Sequence, residues 1–434
     1  MLNKDPGSVK IGIYTLGCRV NQYESGAIAE KLKSFGFKVE HTDRGCDYYV
    51  VNTCAVTAES ERKSRQAVRR MARSGRVAVI GCASQLKPGI YGYENVFFVG
   101  GCREKQACVE AILNDTGGAA VSAVAPMQGA RYEPMSVNGD SGMFSDCRAF
   151  IKIEDGCNGK CAYCIIPACR GSVRSRPLEE VVAEAKRLSA SGYKEIILTG
   201  IEVGAYNKAP LSQLIGAMSE LDGVKRVRFG SLSPLAVSKS FLEAAAASCN
   251  FMPHLHLSLQ SCSDKVLKAM RRPYTKKDIY DKVRLIREYL PGCMLSADII
   301  VGFPGESDED FAETCASVAE LRLFRVHSFP YSEREGTPAA AMPGRIDPSV
   351  RYARNGILLS ASGDVRNSIL SEYAGRRLEV LVEKTSGAYA KGHTREFLEA
   401  QFMHSGCKIG DIKEVIAVGS DGDVLNTVIQ ESKQ

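Results

Sequence analysis

An α/β chain in three parts is predicted from these 434 residues: an N-terminal open parallel sheet, a central partial (β/α)6 barrel and a small C-terminal β-barrel. Three observations predict it. Val/Ile-rich runs alternate with helical stretches over residues 9–114, the pattern of a parallel sheet covered on both faces. The alternation resumes six times between Ala149 and Phe329, as units of a parallel barrel do. Beyond residue 375, short alternating runs between Gly turns suggest a small β-barrel related to OB-type folds. The domains expected are residues 8–115, a linker over 116–146, the barrel over 147–372 and the β module over 373–434.

Composition narrows the class. With 44% hydrophobic and 24% charged residues the chain is ordinary globular protein. No signal-type apolar segment opens it and no 18-residue uncharged apolar run occurs, so a cytoplasmic protein without a membrane partner is expected. Sixteen cysteines in a reducing compartment argue for metal or cluster ligation where they group. The scattered ones (Cys46, Cys102, Cys108, Cys249, Cys293, Cys315, Cys407) read as small buried hydrophobes. The net charge of +6 permits a polyanionic partner without demanding one.

In the first part, strands are expected at Val9–Leu16, Tyr48–Thr53, Val77–Gly81 and Val96–Val99, with helices near Gln22–Phe35 and Ala58–Arg73. Cys18, Cys54 and Cys82 each fall just past the C-terminal end of a strand. Ligands of open parallel sheets bind there, so three thiols converging at that edge suit a cluster with one open iron. On the second helix Arg62, Arg65, Arg69 and Arg73 share one sector, beside Lys63 and Arg70. The stripe is either phosphate-tracking or a solvated basic face. Asn114–Gly142 is rich in Gly, Ala, Ser and Pro and reads as the linker.

The barrel strands are expected at Ala149–Ile153, Glu195–Thr199, Val227–Leu232, Leu255–Leu259, Leu295–Val301 and Arg325–Phe329. The first leads into IKIEDGCNGKCAYCIIP, whose Cys157, Cys161 and Cys164 have the spacing C-x3-C-x2-C. Three thiols on one short loop hold three corners of a [4Fe-4S] cube. A closed zinc site needs a fourth ligand, and Cys169 behind Pro167 is a poor fit. The loop leaves the C-terminal end of its strand, which is the catalytic face of such barrels. TGIE (Thr199–Glu202), SLSP (Ser231–Pro234), LQS (Leu259–Ser261) and DIIVGFPGE (Asp298–Glu306) end later strands. KAMRRPYT contains Arg272, suited to a bidentate carboxylate contact, and Arg170, Arg174 and Arg176 follow the cysteine loop, where phosphate or a modified base are candidate partners. The tail from Gly375 holds eight Lys/Arg against nine Asp/Glu, so only a local face such as Arg376, Arg377, Lys391 and Arg395 suits RNA.

The run CNGKCAYC, with Tyr163 before the third cysteine, resembles the radical S-adenosylmethionine (SAM) enzymes. IIPACRGSVRSRP, LGCRVNQYE, VVNTCAVT and VIGCASQ are similar to the methylthiotransferase family within them. LTGIEVGAY and HLHLSLQSCSDKVLKAMRRPYT look most like the branch acting on N6-threonylcarbamoyladenosine beside the tRNA anticodon. The resemblance spans nearly the whole chain and gives the tail the position of the RNA-binding TRAM module. It implies a radical SAM cluster on Cys157, Cys161 and Cys164, and a second, sulfur-carrying [4Fe-4S] cluster on Cys18, Cys54 and Cys82. SAM would be surrounded by Tyr163, Gly200, Glu202, Ser231, Gln260, Arg272, Asp298 and Gly302, although the branch often has His where Glu202 stands. RNA contacts would come from Arg62, Arg65, Arg69, Arg170, Arg174 and Arg176. The implied partners are the tRNA anticodon stem-loop and an electron donor such as flavodoxin or ferredoxin, and the implied activity is methylthio transfer to adenine C2. The alternatives are isopentenyl-adenosine or a ribosomal-protein aspartate as substrate, an iron-sulfur RNA-binding protein without catalysis, and a zinc-stabilised RNA adaptor.

Overall fold

The computed structural model describes residues 5–140 and 147–430; residues 141–146 of the expected linker and 431–434 of the expected β module lie outside the described residues. The N-terminal sheet consists of β1 (Lys10–Thr15), β2 (Lys38–Glu40), β3 (Tyr48–Thr53), β4 (Arg76–Gly81), β5 (Val96–Val99) and β6 (Val121–Ser122). They are all parallel, in the order β2-β1-β3-β4-β5-β6. Every residue of β3 is buried, as a central strand covered on both faces requires. Helices α1 (Arg19–Ser34), α2 (Ala58–Met71), α3 (Cys82–Leu86) and α4 (Lys105–Leu113) cover it. The start of α2 is set by Thr57, which accepts from the Ser60 amide, with Glu59 and Glu61 in the first turn and Arg69 and Arg70 in the last.

The expected linker is more ordered than its composition suggested. It adds β6 to the sheet, and Val137 is buried against the barrel.

The barrel strands are β7 (Arg148–Lys152), β10 (Glu195–Thr199), β11 (Arg226–Phe229), β12 (His254–Gln260), β13 (Met294–Val301) and β14 (Leu323–Pro330), with a short ribbon of β8 (Glu154–Asp155) and β9 (Arg174–Ser175) under the cysteine loop. Two parallel halves, β7-β10-β11 and β12-β13-β14, are joined by single bridges, Val227 to Phe251 and Leu232 to Leu257. Ala149 and Ile151, Ile196 and Leu198, Leu255 and Leu257, and Ala297 and Ile299 pack outward into the main core. The residues between them line the lumen, by the two-residue period of a strand. The outer layer is α6 (Leu178–Ala190), α7 (Leu211–Ser219), α8 (Lys239–Ala247), α9 (Asp264–Ala269), α10 (Lys276–Tyr289), α11 (Asp308–Glu320) and α12 (Pro348–Ser371), while α5 (Ile166–Arg170) packs on α3 of the N-terminal part.

Strands β15 (Arg377–Ser386), β16 (Tyr389–Thr394), β17 (Glu399–Met403), β18 (Ile412–Asp421) and β19 (Val424–Ile429) close a barrel in the order β15-β16-β17-β19-β18. This module caps the floor of the central barrel. Arg148 at the start of β7 pairs with Glu383, and Arg226 at the start of β11 pairs with Glu379 at 2.9 Å. Phe397 stacks between His254 and His393, with ring centroids 4.8 and 4.4 Å away. Arg395 is committed to the Cys249 carbonyl, so it does not belong to a free basic face. Among the described residues no helix is long and apolar enough to cross a membrane.

Candidate active site

The first cysteine site is the loop between β8 and α5. Cys157, Cys161 and Cys164 are all partly accessible, and Cys157 and Cys161 border a cavity of about 580 Å³ shared with Glu202, Ser233 and Arg272. Gly159 donates its amide to Cys157 Sγ at 3.2 Å, and a Cβ at Gly159 would crowd that sulfur at 3.1 Å. Arg272 donates to Cys161 Sγ at 3.1 Å, to the Ser258 carbonyl and to Tyr274 Oη. Burial pushes the Cys164 thiol up to about 12, a value at which metal coordination is what yields the thiolate.

Next to this loop, two carboxylates are short of partners. Glu154 Oε2 accepts from the Ile201 and Glu202 amides, fixing the turn after β10, while Glu154 Oε1 and Glu202 Oε1 are buried without a hydrogen bond. Burial pushes Glu154 up to about 8 and raises Glu202 as well. Two orphaned carboxylate oxygens beside a three-cysteine loop suit an incoming ammonium group.

The second site lies at the C-terminal edge of the N-terminal sheet. Cys54 and Cys82 follow directly on β3 and β4, and Cys18 follows β1 after Leu16 and Gly17; the three strands are neighbours in the sheet. Gly17, at φ 98°, is needed because a Cβ there would stand 2.9 Å from Cys54 Sγ. Cys18 is exposed and caps α1, so the positive end of that helix faces any anionic group the thiol holds. Cys82 leans inward. The Cys102 thiol donates to it at 3.8 Å and Arg170 Nε at 3.3 Å. Hydrogen bonds from Cys102 and Cys169, aided by Arg170, outweigh burial and hold the Cys82 thiol well below the usual value. From sequence, Cys169 was weighed only as a poorly fitting fourth zinc ligand and Cys102 only as a buried hydrophobe. The signal available was Cys169 immediately before Arg170, just beyond the first cysteine loop.

A buried charge network joins the two sites. Glu24 of α1 meets Arg170 at 2.9 Å, Lys152 at 3.0 Å and Lys105 at 3.6 Å, and Asp155 meets Arg170 at 2.9 Å and Lys152 at 3.3 Å. With Arg174 at 3.4 Å from Asp155, four cations face two carboxylates and leave a net positive charge beside Cys82, the sign that a cysteinate-bound cluster needs. Burial alone would raise Glu24, but Arg170, Lys105 and Lys152 hold it well below the carboxylate range.

Residues 151–318 match the Radical SAM superfamily and residues 10–97 match the uncharacterized protein family UPF0004. The threonylcarbamoyladenosine tRNA methylthiotransferase MtaB of Bacillus subtilis is 36% identical over 422 residues, 93% of each chain. The chain belongs to the radical SAM methylthiotransferase family. MtaB of Thermotoga maritima is 35% identical over 93% of each chain, and the tRNA-2-methylthio-N(6)-dimethylallyladenosine synthase of Alkaliphilus oremlandii is 33% identical over 97% of this chain and 93% of its own. Among solved structures, the radical SAM methyltransferase TsrM of Kitasatospora setae superposes with a TM-score of 0.55 at 19% identity over 77% of each chain, a likeness of fold.

The cofactors of this methylthiotransferase are SAM and two [4Fe-4S] clusters, and the two three-cysteine sites fit them. Other expected site residues divide. Glu202 and Arg272 line the cavity with the cysteines, and Tyr163 packs beside them with Val266, Met270 and Phe303. Gly200 lies against Glu154, Gln260 adopts φ 68° where β12 shifts register, and Ser231 is exposed. Asp298 is not at that cavity; it stands in the lumen between His256 and His327. Gly302 gives its amide to Glu306 at 2.7 Å and Arg351 fills the space above it.

Arg170 and Arg176 correct the expectation of RNA contact. Both are buried, Arg170 in the network above and Arg176 on Glu184 and Tyr23, and Arg174 is spent on Asp155 and two backbone carbonyls. Basic residues in a loop read as solvated from sequence, because their carboxylate partners lie on other elements. Arg62, Arg65 and Arg69 are exposed on α2 as the stripe requires, with Arg62 bound to Glu59.

Proposed function

We propose that the protein adds a methylthio group to C2 of N6-threonylcarbamoyladenosine beside the anticodon of tRNA. The observation that carries the reading is a pair of three-cysteine sites bridged by one buried network, in a chain 36% identical along 93% of its length to an MtaB. When bound, the cluster at Cys157, Cys161 and Cys164 with SAM supplies the radical that an unreactive aromatic C–H requires, and the cluster at Cys18, Cys54 and Cys82 supplies the sulfur.

The chain's own residues supply placement. Glu202 and Glu154 offer acceptors for the SAM ammonium group, and Arg272 sets the electrostatics at Cys161. The C-terminal module closes the floor of the lumen, which leaves the substrate the cysteine-bearing end. The exposed Arg65 and Arg69 on α2 suit phosphate contact near the Cys54 edge. A flavodoxin- or ferredoxin-like reductant and a cytoplasmic setting complete the reading.

The relative named as a dimethylallyladenosine synthase keeps isopentenyl-adenosine as the second substrate. Anaerobic reconstitution with SAM and tRNAs bearing either base, followed by nucleoside mass spectrometry, separates them. Product on the threonylcarbamoyl tRNA is expected, lost in Cys18→Ala while 5′-deoxyadenosine still forms, with both lost in Cys157→Ala. Product on the isopentenyl tRNA alone would sink the reading.

A further inference from the structure

Among the described residues, a cation beside Cys18 has no polar partner. Arg19 follows Cys18 directly, and with Tyr23 and Ala27 it lies on the face of α1 turned to the barrel. Its half-buried guanidinium sits over the Phe150 ring, 5.7 Å from the centroid, within electrostatic reach of Arg148, Glu195 and Asp298.

Both carboxylates near it are already taken. Glu195 accepts from Arg148 and from Arg228 Nε, the latter at 3.0 Å. Asp298 Oδ1 lies 3.1 Å from His256 Nε2 and 3.5 Å from His327 Nδ1, and Ser296 Oγ fixes the other side of the His256 ring at 2.7 Å. Of the other lumen cations, Arg148 is spent on Glu195 and Glu383, Arg228 on Glu195 and the Thr394 carbonyl, Lys152 on Glu24 and Asp155, and Arg272 on Cys161 and Ser258, while Arg325 lies over the Phe324 ring within electrostatic reach of Glu399 and Asp423 of the C-terminal module. Among the described residues Arg19 has neither ion pair nor hydrogen bond. Burial, together with the like charge of Arg148, pushes its guanidinium below the usual value. Enclosing a guanidinium without a counter-charge is costly, and a ligand carrying that charge removes the cost.

We propose that Arg19 is a carboxylate subsite, which receives the carboxylate of the threonyl side chain on adenosine N6. The inference rests on the substrate reading above and deepens it. The planar fork of Arg matches a carboxylate with two parallel hydrogen bonds, and Phe150 holds its plane. Because Arg19 adjoins Cys18, a side chain anchored there keeps the adenine next to the sulfur-carrying site. An apolar isopentenyl group would leave the guanidinium unpaired, so the subsite also selects against that base.

The test uses reconstituted full-length enzyme and labelled anticodon stem-loops carrying either N6-threonylcarbamoyladenosine or its threoninamide analogue, which lacks only the carboxylate charge. Affinity is read by fluorescence anisotropy and product by mass spectrometry on the same RNAs. The wild type should bind the carboxylate form roughly 10- to 100-fold more tightly than the amide, as a charge-assisted pair predicts. Arg19→Met should lose that preference through weaker binding of the carboxylate form alone, with iron content unchanged, and Arg19→Lys should keep part of it. A preference that survives in Arg19→Met, or an equal loss of affinity for both RNAs, overturns the subsite. Equal wild-type affinity and turnover on both RNAs overturns the subsite and leaves the substrate reading standing. Turnover on neither RNA overturns the substrate reading and the subsite with it.

Discussion

Replacing Glu24 by Gln tests whether the buried network holds the N-terminal sheet to the barrel. Glu24 is fully buried and is the carboxylate on which Arg170, Lys152 and Lys105 converge, none of them more than 1% exposed. Removing one partner of a desolvated ion cluster typically costs about 3–5 kcal/mol, and because Gln keeps one acceptor the lower end, about 3 kcal/mol, applies. If the sheet and barrel melt as one unit of roughly 370 residues, an unfolding entropy of about 2.1 cal/mol/K per residue makes this a fall of about 4 °C in Tm. Differential scanning calorimetry on reconstituted protein measures it. The double variant Glu24→Gln/Lys105→Met should recover at least half of the loss, since a cation leaves with its partner. The pH dependence has a definite sign. The folded-state pKa of Glu24 is depressed below the ordinary 4.5, so its contribution is present above that value and is lost as pH falls through the folded-state value. In metal-free protein the gap between wild type and Glu24→Gln should therefore narrow as pH falls below about 4.5. A Tm within about 1 °C of wild type at neutral pH would refute the reasoning, because charges that lose a partner so cheaply are not desolvated.

Arg272→Met should lower the rate of 5′-deoxyadenosine formation roughly 10- to 100-fold with iron content retained, since it removes charge-assisted bonds to Cys161 and to the Ser258 carbonyl; single-turnover quenching reads this. Phe397→Ala should weaken the seal between the C-terminal module and the barrel floor by up to about 3 kcal/mol, visible as faster limited proteolysis near residue 375. For Glu154, burial raises the folded-state value to about 8, so its cost to stability is absent below pH 4.5 and grows as pH rises towards 8. Glu154→Gln should flatten the thermal stability profile between pH 5 and pH 8, as followed by circular dichroism.

Local pattern decided what was legible in the sequence. The strands of both parallel parts are runs of Val, Ile and Leu between helices, and Cys18, Cys54 and Cys82 could be assigned to one edge because parallel strands end on one side. The Cys157 loop was readable because its ligands lie within eight residues. What stayed hidden depends on convergence between parts. Arg170 looked like an RNA contact because Glu24 lies 146 positions upstream, and the approach of His256 and His327 to Asp298 is made only across adjacent strands. Glu154 carried a weak signal, an acidic pair just ahead of the cysteine loop, whose meaning depends on the Ile201 and Glu202 amides it accepts.

The same convergence explains how one chain keeps two clusters in a fixed relation. Helix α5 begins two residues after Cys164, and it carries Cys169 and Arg170 against Cys82. Ile165 and Cys169 are buried in the core of the N-terminal sheet, although they belong in sequence to the barrel. Five residues of helix thus form a strut whose first end follows the Cys157 loop and whose last residue touches Cys82. A purely apolar strut would fix the distance but leave a cluster's negative charge uncompensated beside Cys82. Arg170 serves both needs at once, and Glu24, Asp155, Lys105 and Lys152 are what allow a guanidinium to be buried there.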